Sequence, residues 1–145
     1  MYFVTGGSFN GKSRWVKTHF NLSKADTTWL SLFEGNIHQL NEWNVSKPFI
    51  VIEGLEYGVR SSLLMNEPDF RQSFSMMLDS LSRWEEEHYE RKIIWIGSEI
   101  GKGIVPMDKF SRGWRDMTGW VYQDLAAMCQ QVWAVWYGLA TPLKG

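Results

Sequence analysis

Gly6-Gly7-Ser8-Phe9-Asn10-Gly11-Lys12-Ser13 is the stretch whose reading decides the fold. It fits G-x-x-x-x-G-K-[ST], a loop that grips phosphate between a strand and a helix. Glycines at 6, 7 and 11 let the backbone turn tightly enough for successive N–H groups to face one anion. The helix that follows presents its positive end to the same place. Lys12 is expected to neutralise the β and γ phosphates, and Ser13 to give a hydroxyl to Mg²⁺. Average residue frequencies give the pattern about a 0.5% chance of arising in a chain this long. All eight residues are therefore expected to bind a nucleoside triphosphate, ATP or GTP.

The flanks agree with that reading. Tyr2–Thr5 is a short apolar run cut off by Gly6-Gly7, as a buried strand would be. Ser13–Phe20 reads as a helix with Trp15, Val16 and Phe20 on related faces. Further along, Thr27–Phe33 is β-branched and aromatic and reads as a strand, and Asn36–Trp43 reads as a short helix. Phe49–Glu53 (FIVIE) is a buried strand announced by Pro48 and closed by Gly54. Asn66-Glu67-Pro68 is expected to open a helix that runs to about Tyr89. Its apolar stripe is Phe70, Phe74, Met77, Leu78, Leu81 and Trp84. Ile93–Ile96 (IIWI) is another buried strand. A glycine-rich loop, a helix over about Ser111–Gln131 and a last strand, Val132–Tyr137, complete the order. Strands alternating with helices imply parallel crossovers. The expected fold is a single α/β domain over residues 1–145, a three-layer, RecA-like P-loop domain. Its central sheet should be mainly parallel, with one antiparallel strand near the C-terminus.

Composition narrows the partners. The 145 residues are 44% hydrophobic and 21% charged, ordinary for a globular protein. A net charge of −1 gives no field that would draw nucleic acid or anionic lipid. One cysteine, Cys129, cannot form an internal disulfide, and three scattered histidines show no metal-ligand spacing. The opening MYFVTGGSFNGKS lacks the basic and apolar regions of a signal peptide, and no apolar run is long enough to span a bilayer. A reducing cytoplasm is the expected compartment. Of nine tryptophans, Trp95, Trp133 and Trp136 fall in strands and Trp84 in the apolar stripe, so packing is their expected role. Trp29, Trp43, Trp114 and Trp120 are candidates for a subunit interface.

A second acid usually helps hold the metal one strand away from such a loop. Glu53, at the carboxyl end of FIVIE, stands where parallel sheets collect their ligands. Glu99, just after IIWIGS, is the alternative acid at the same sheet edge. His19 and His88 read as surface residues. Arg112 and Arg115, three apart on a helix, share a face and could bind phosphate or a neighbouring acid.

Both ends of the chain resemble one family, the adenosylcobinamide kinase / adenosylcobinamide-phosphate guanylyltransferases of cobalamin biosynthesis. FVTGGSFNGKSRW is similar to that family's opening, and IGSEIGKGIVPMDKFSRGWRDMTGWVYQDLA (96–126) to its N-E-V-G-x-G-I-V-P and R-x-[FW]-R-D-x-x-G-x-x-N-Q-x-[LI]-A. Glu99, Gly101, Gly103, Ile104, Val105, Pro106, Arg112, Trp114, Arg115, Asp116, Gly119, Gln123, Leu125 and Ala126 fall in register. FIVIEG resembles the family's strand that ends in a nucleotide-contacting acid, and VWAVWYGLATPLKG its tail. The resemblance implies a homotrimer that transfers the γ-phosphoryl group of ATP or GTP to the aminopropanol hydroxyl of adenosylcobinamide. On that reading Lys12 stabilises the transferring group, Ser13 and Glu53 hold Mg²⁺, and Glu53 or Glu99 accepts the hydroxyl proton.

Two departures accompany it. The family carries GMP on a histidine in a His-, Arg- and Pro-rich segment, which is shortened here to a stretch holding only His38. Ser98 and Tyr122 stand where the family usually has asparagines. The expected activity is therefore the kinase half without guanylyl transfer. The alternatives are a bifunctional enzyme using His38 and a nucleotide-binding relative without catalysis.

Overall fold

A computed structural model describes the whole chain except Asn36, His38, Gln39 and residues 41–45. Six strands form one sheet in the order β2-β3-β4-β1-β5-β6. The strands are β1 (Tyr2–Gly6), β2 (Thr27–Ser31), β3 (Phe49–Glu53), β4 (Lys92–Ile96), β5 (Gln131–Trp136) and β6 (Leu139–Lys144). All neighbours are parallel except β5 and β6. Four helices connect them: α1 (Lys12–His19), α2 (Leu55–Leu64), α3 (Phe70–Glu86) and α4 (Lys109–Met128).

Alternate residues of each buried strand point to opposite faces, and each face has its own cover. Phe3, Ile50, Ile52, Ile93, Trp95 and Val132 pack with α2, α3 and α4. Tyr2, Val4, Val51, Ile94, Ile96, Trp133 and Val135 face the other way, against Val16 and Trp15 of α1. The outcome is three layers, helix, sheet and helix, as the alternating pattern predicted. The apolar stripe of α3 supplies four buried residues, Phe70, Phe74, Leu78 and Leu81. Phe74 meets Trp95 edge-on at 5.5 Å, which locks α3 to the middle of the sheet.

Three local expectations need correction. Helix α2, LEYGVRSSLL, was not anticipated. Its Gly58 packs closely on Leu32: a Cβ there would lie 2.9 Å from Leu32 Cδ1. Asn66-Glu67 does not open α3, which starts at Phe70 after Asp69. Asn66 has a φ of 52° and closes α2, with Glu67 N–H donating to Ser62 O at 3.2 Å. Asparagine tolerates the left-handed conformation that ends a helix, so a stop signal was read as a start. Finally, Val132–Tyr137 is not the last strand: β5 pairs parallel to β1, and the antiparallel partner is β6. The expected helix over Asn36–Trp43 lies largely outside the described residues; Ile37 and Leu40 are described and buried.

Candidate functional site

The carboxyl ends of β1, β3 and β4 converge, and register brings the loop and the acid together. Glu53 stands opposite Ile96, and Ile96 opposite Val4, two residues before Gly6. Gly6 turns the chain out of β1 with φ 135°, where a Cβ would lie 2.0 Å from Val135 O, so no other residue fits. Phe9 and Gly11 also have positive φ, and the chain enters α1 at Lys12. Gly11 provides no side-chain cap, which leaves first-turn N–H groups available to an anion. Asn10 braces the loop from the other side: its Oδ1 accepts from Tyr137 N–H at 2.8 Å and its carbonyl from Gly138 N–H at 2.8 Å.

A cleft of about 330 Å³ lies over this junction, and its walls include Lys12, Ser13, Glu53, Glu56 and Ser98. Ser13 Oγ donates to Glu53 Oε2 at 2.9 Å. Two elements separated by 40 residues thus meet through a hydroxyl and a carboxylate, the hard oxygen donors Mg²⁺ prefers. Among the described residues no group of three or more His, Cys, Asp or Glu side chains is placed to hold a metal alone. An ion on Ser13 and Glu53 would complete its shell with phosphate and water, which is how Mg²⁺ is usually bound. Lys12 is 8% exposed and donates to Gly7 O at 2.8 Å. Burial pulls its pKa below the ordinary lysine value, and the nearby Glu56 carboxylate opposes that shift.

Glu56 was missed by the sequence reading. It sits one turn beyond Glu53 because Gly54, at φ 79°, starts α2 immediately after the strand. The residue is 2% exposed, and its Oε2 accepts from Ser98 N–H at 2.9 Å and Tyr122 Oη at 3.2 Å. Tyr122 also donates to Ser98 O at 2.7 Å. Burial, with the Glu56 charge beside it, holds the Tyr122 phenol well above its usual pKa, so it stays a donor. Ser98 and Tyr122, which stand where the family usually has asparagines, therefore meet on one buried acid. Spacing alone gave no sign of this, because a Glu-x-x-Glu pair is visible only once α2 is recognised.

The other candidates separate. Glu99 shares the sheet edge, its N–H donating to Gly6 O at 2.8 Å, but its carboxylate turns onto its own loop and accepts from Gly101 N–H at 2.5 Å. Of the eight loop residues, Ser8, Phe9, Gly11, Lys12 and Ser13 line the cleft. Gly7 has Trp136 against it, and a Cβ there would lie 2.5 Å from that ring. Trp136 itself is 36% exposed, contrary to the packing role expected of it. Trp95 and Trp133 are buried and Trp84 packs on the core, while Trp43 lies outside the described residues. Arg112 serves the glycine-rich loop, donating to the carbonyls of Pro106 and Met107. His19 stacks on Trp15 at 4.4 Å, away from the cleft. His38 lies outside the described residues.

A mainly parallel sheet between two helix layers, with a glycine loop at its carboxyl edge, is consistent with a P-loop NTPase-like fold. Residues 26–143 match the family described as cobinamide kinase / cobinamide phosphate guanyltransferase, and the chain belongs to that family. The match takes in Glu53, Glu56 and Glu99 and begins beyond the loop at 6–13. Similar relatives carry the name bifunctional adenosylcobalamin biosynthesis protein. The Pseudomonas aeruginosa protein is 41% identical over 54 residues, covering 37% of this chain and 31% of the relative. The Escherichia coli and Salmonella typhimurium proteins are each 40% identical over 53 residues, covering 37% of this chain and 29% of theirs. Each matched stretch thus spans under a third of the relative's length.

Proposed function

We propose that this protein is a kinase that moves the γ-phosphoryl group of ATP or GTP to the aminopropanol hydroxyl of adenosylcobinamide, without guanylyl transfer. The observation that carries the proposal is the 2.9 Å contact between Ser13 and Glu53 beside the buried Lys12. Lys12 leaves the Gly7 carbonyl for the β and γ phosphates and holds the charge that develops during transfer. Ser13 and Glu53 would hold Mg²⁺, which when bound neutralises the phosphate oxygens. Glu53 or Glu99 takes the proton of the acceptor hydroxyl, and Glu56 faces the same cleft as a third acid.

The walls support a broad, flat acceptor. Phe33 and Tyr57 line the cleft and are partly exposed. Phe33 meets Tyr57 at 5.3 Å, Tyr57 meets Trp114 at 6.1 Å, and the Arg60 guanidinium lies 5.9 Å from the Trp114 ring. Phe33 and Tyr57 thus give the cleft an apolar aromatic wall against which a corrinoid can pack. For the kinase-only reading, support comes from the sequence between Phe33 and Phe49, where His38 stands without the neighbouring His, Arg and Pro of the family pattern. A cytoplasmic homotrimer completes the proposal; exposed Ile104, Val105 and Met107 on the loop before α4 offer an apolar contact surface. The chain should move label from γ-labelled ATP or GTP onto adenosylcobinamide, seen by chromatography of the corrinoid. A corrinoid that stays unlabelled with both nucleotides refutes the proposal.

A further inference from the structure

A second groove adjoins the cleft on the far side of the loop. Its volume is about 540 Å³, and its walls are Phe9, Asn10, Gly11, Arg14, Trp15, Thr18, Tyr137 and Gly138. Because β1 lies between β4 and β5 in the sheet, the two hollows flank the loop, one toward Glu53 and one toward the β5–β6 turn. Phe9, Gly11 and Arg14 line both, so one extended ligand can occupy the two together.

We propose that this groove holds the purine base of the nucleoside triphosphate, stacked on Tyr137. The inference rests on the triphosphate reading of the first cleft. With the γ phosphate at Lys12 and Ser13, the chain of phosphates passes the first turn of α1, and the nucleoside emerges beside Arg14 and the hairpin turn. Tyr137 waits there with φ 55°, 88% exposed, its backbone fixed by the Asn10 bond. Phe9, also at positive φ and fully exposed, stands on the same groove. A bulky aromatic residue at positive φ is uncommon and is strained where it stands. Ordinary folding would place Gly or Asn at such a turn, so two strained, solvent-facing rings at one groove point to a ligand that covers them.

Stacking reads the face of a base and not its edge. Asn10, the obvious edge reader, is already engaged: Oδ1 accepts from Tyr137 N–H, and Nδ2 donates to Ser8 O at 3.0 Å. ATP and GTP should therefore bind within about tenfold of each other, in line with base stacking that tolerates sequence.

Equilibrium binding of Mg²⁺ complexes of ATP, GTP and inorganic tripolyphosphate tests the assignment. Tyr137→Gly removes the ring and relieves the positive φ, so the hairpin keeps its shape; Tyr137→Phe keeps the ring. In Tyr137→Gly both nucleotides should bind about tenfold more weakly while tripolyphosphate is unchanged, and Tyr137→Phe should behave as wild type. Unchanged nucleotide binding in Tyr137→Gly overturns the base site, as does an equal loss for tripolyphosphate. If wild-type protein binds neither tripolyphosphate nor nucleotide, the phosphate assignment itself fails and takes the base site with it.

Discussion

Lys12 shows how one residue carries both a function and a cost. A buried cation is unfavourable unless paired, and without a bound anion its partners are one carbonyl and the charge of Glu56. Because burial lowers the folded-state pKa, the unfolded chain holds the proton more tightly. This group's contribution to stability therefore rises with pH, from the lowered value up toward the unfolded value of about 10.4. Lys12→Ala should cut phosphoryl transfer by at least about a thousandfold, the scale of losing a cation from the transferring group. Its unliganded melting temperature at pH 7 should equal or exceed wild type in calorimetry. Full activity in this variant would sink the phosphate-loop assignment. For the acids, Glu53→Gln should lose about a hundredfold in activity and alter the Mg²⁺ requirement, with Glu99→Gln milder. Metal titrations of both variants decide it, and the reverse order would mean that their roles are exchanged. Lys12, Ser13 and Glu53 were legible in the sequence because motif spacing and strand ends fix them. Glu56 was not, since its place depends on α2, a helix the sequence pattern did not announce.

At the scale of elements, periodicity worked wherever burial enforces it. FIVIE and the stripe of α3 stand where the pattern put them, as residues packed against one sheet must. Boundaries failed where a residue suits two structures: Asn66 can cap a helix start or end one, and only its φ of 52° tells which. The β5–β6 pair is half legible, since the sequence predicts an antiparallel strand near the C-terminus but reads VWAVWY as the last one. Its turn at Tyr137-Gly138 is recognisable afterwards as two successive positive φ values, the geometry of a two-residue hairpin loop. Phe74, 1% exposed between α3 and Trp95, tests whether this packing holds the central layer. Phe74→Ala should cost about 3–5 kcal/mol in urea unfolding. A loss below about 1 kcal/mol would mean that α3 is not anchored there.

On the proposed reading, the whole molecule joins a nucleotide end to an acceptor end across one sheet edge. Strand order places β3, β4 and β1 side by side, so the loop, Glu53 and the rings of Phe33 and Tyr57 share one cleft. Sequence alone could supply the parts but not this adjacency, which follows from strand order. If the chain assembles as proposed, sedimentation equilibrium should give three times the monomer mass; a monomer at micromolar concentration would refute the trimer. The shortened stretch around His38 is where the family's two activities would part. In sequence the lysine nearest His38 is Lys47, which donates to Lys24 O at 2.8 Å, whereas a nucleophilic histidine needs charge at hand to steady the phosphoryl group. One experiment with two labels tests the kinase-only claim most directly: adenosylcobinamide incubated in parallel with γ-labelled and α-labelled GTP, followed by chromatography of the corrinoid and denaturing electrophoresis of the protein. The account predicts γ label on the corrinoid and α label on neither corrinoid nor protein. A corrinoid without γ label, or an acid-labile α label on the protein that disappears in His38→Ala, would contradict it.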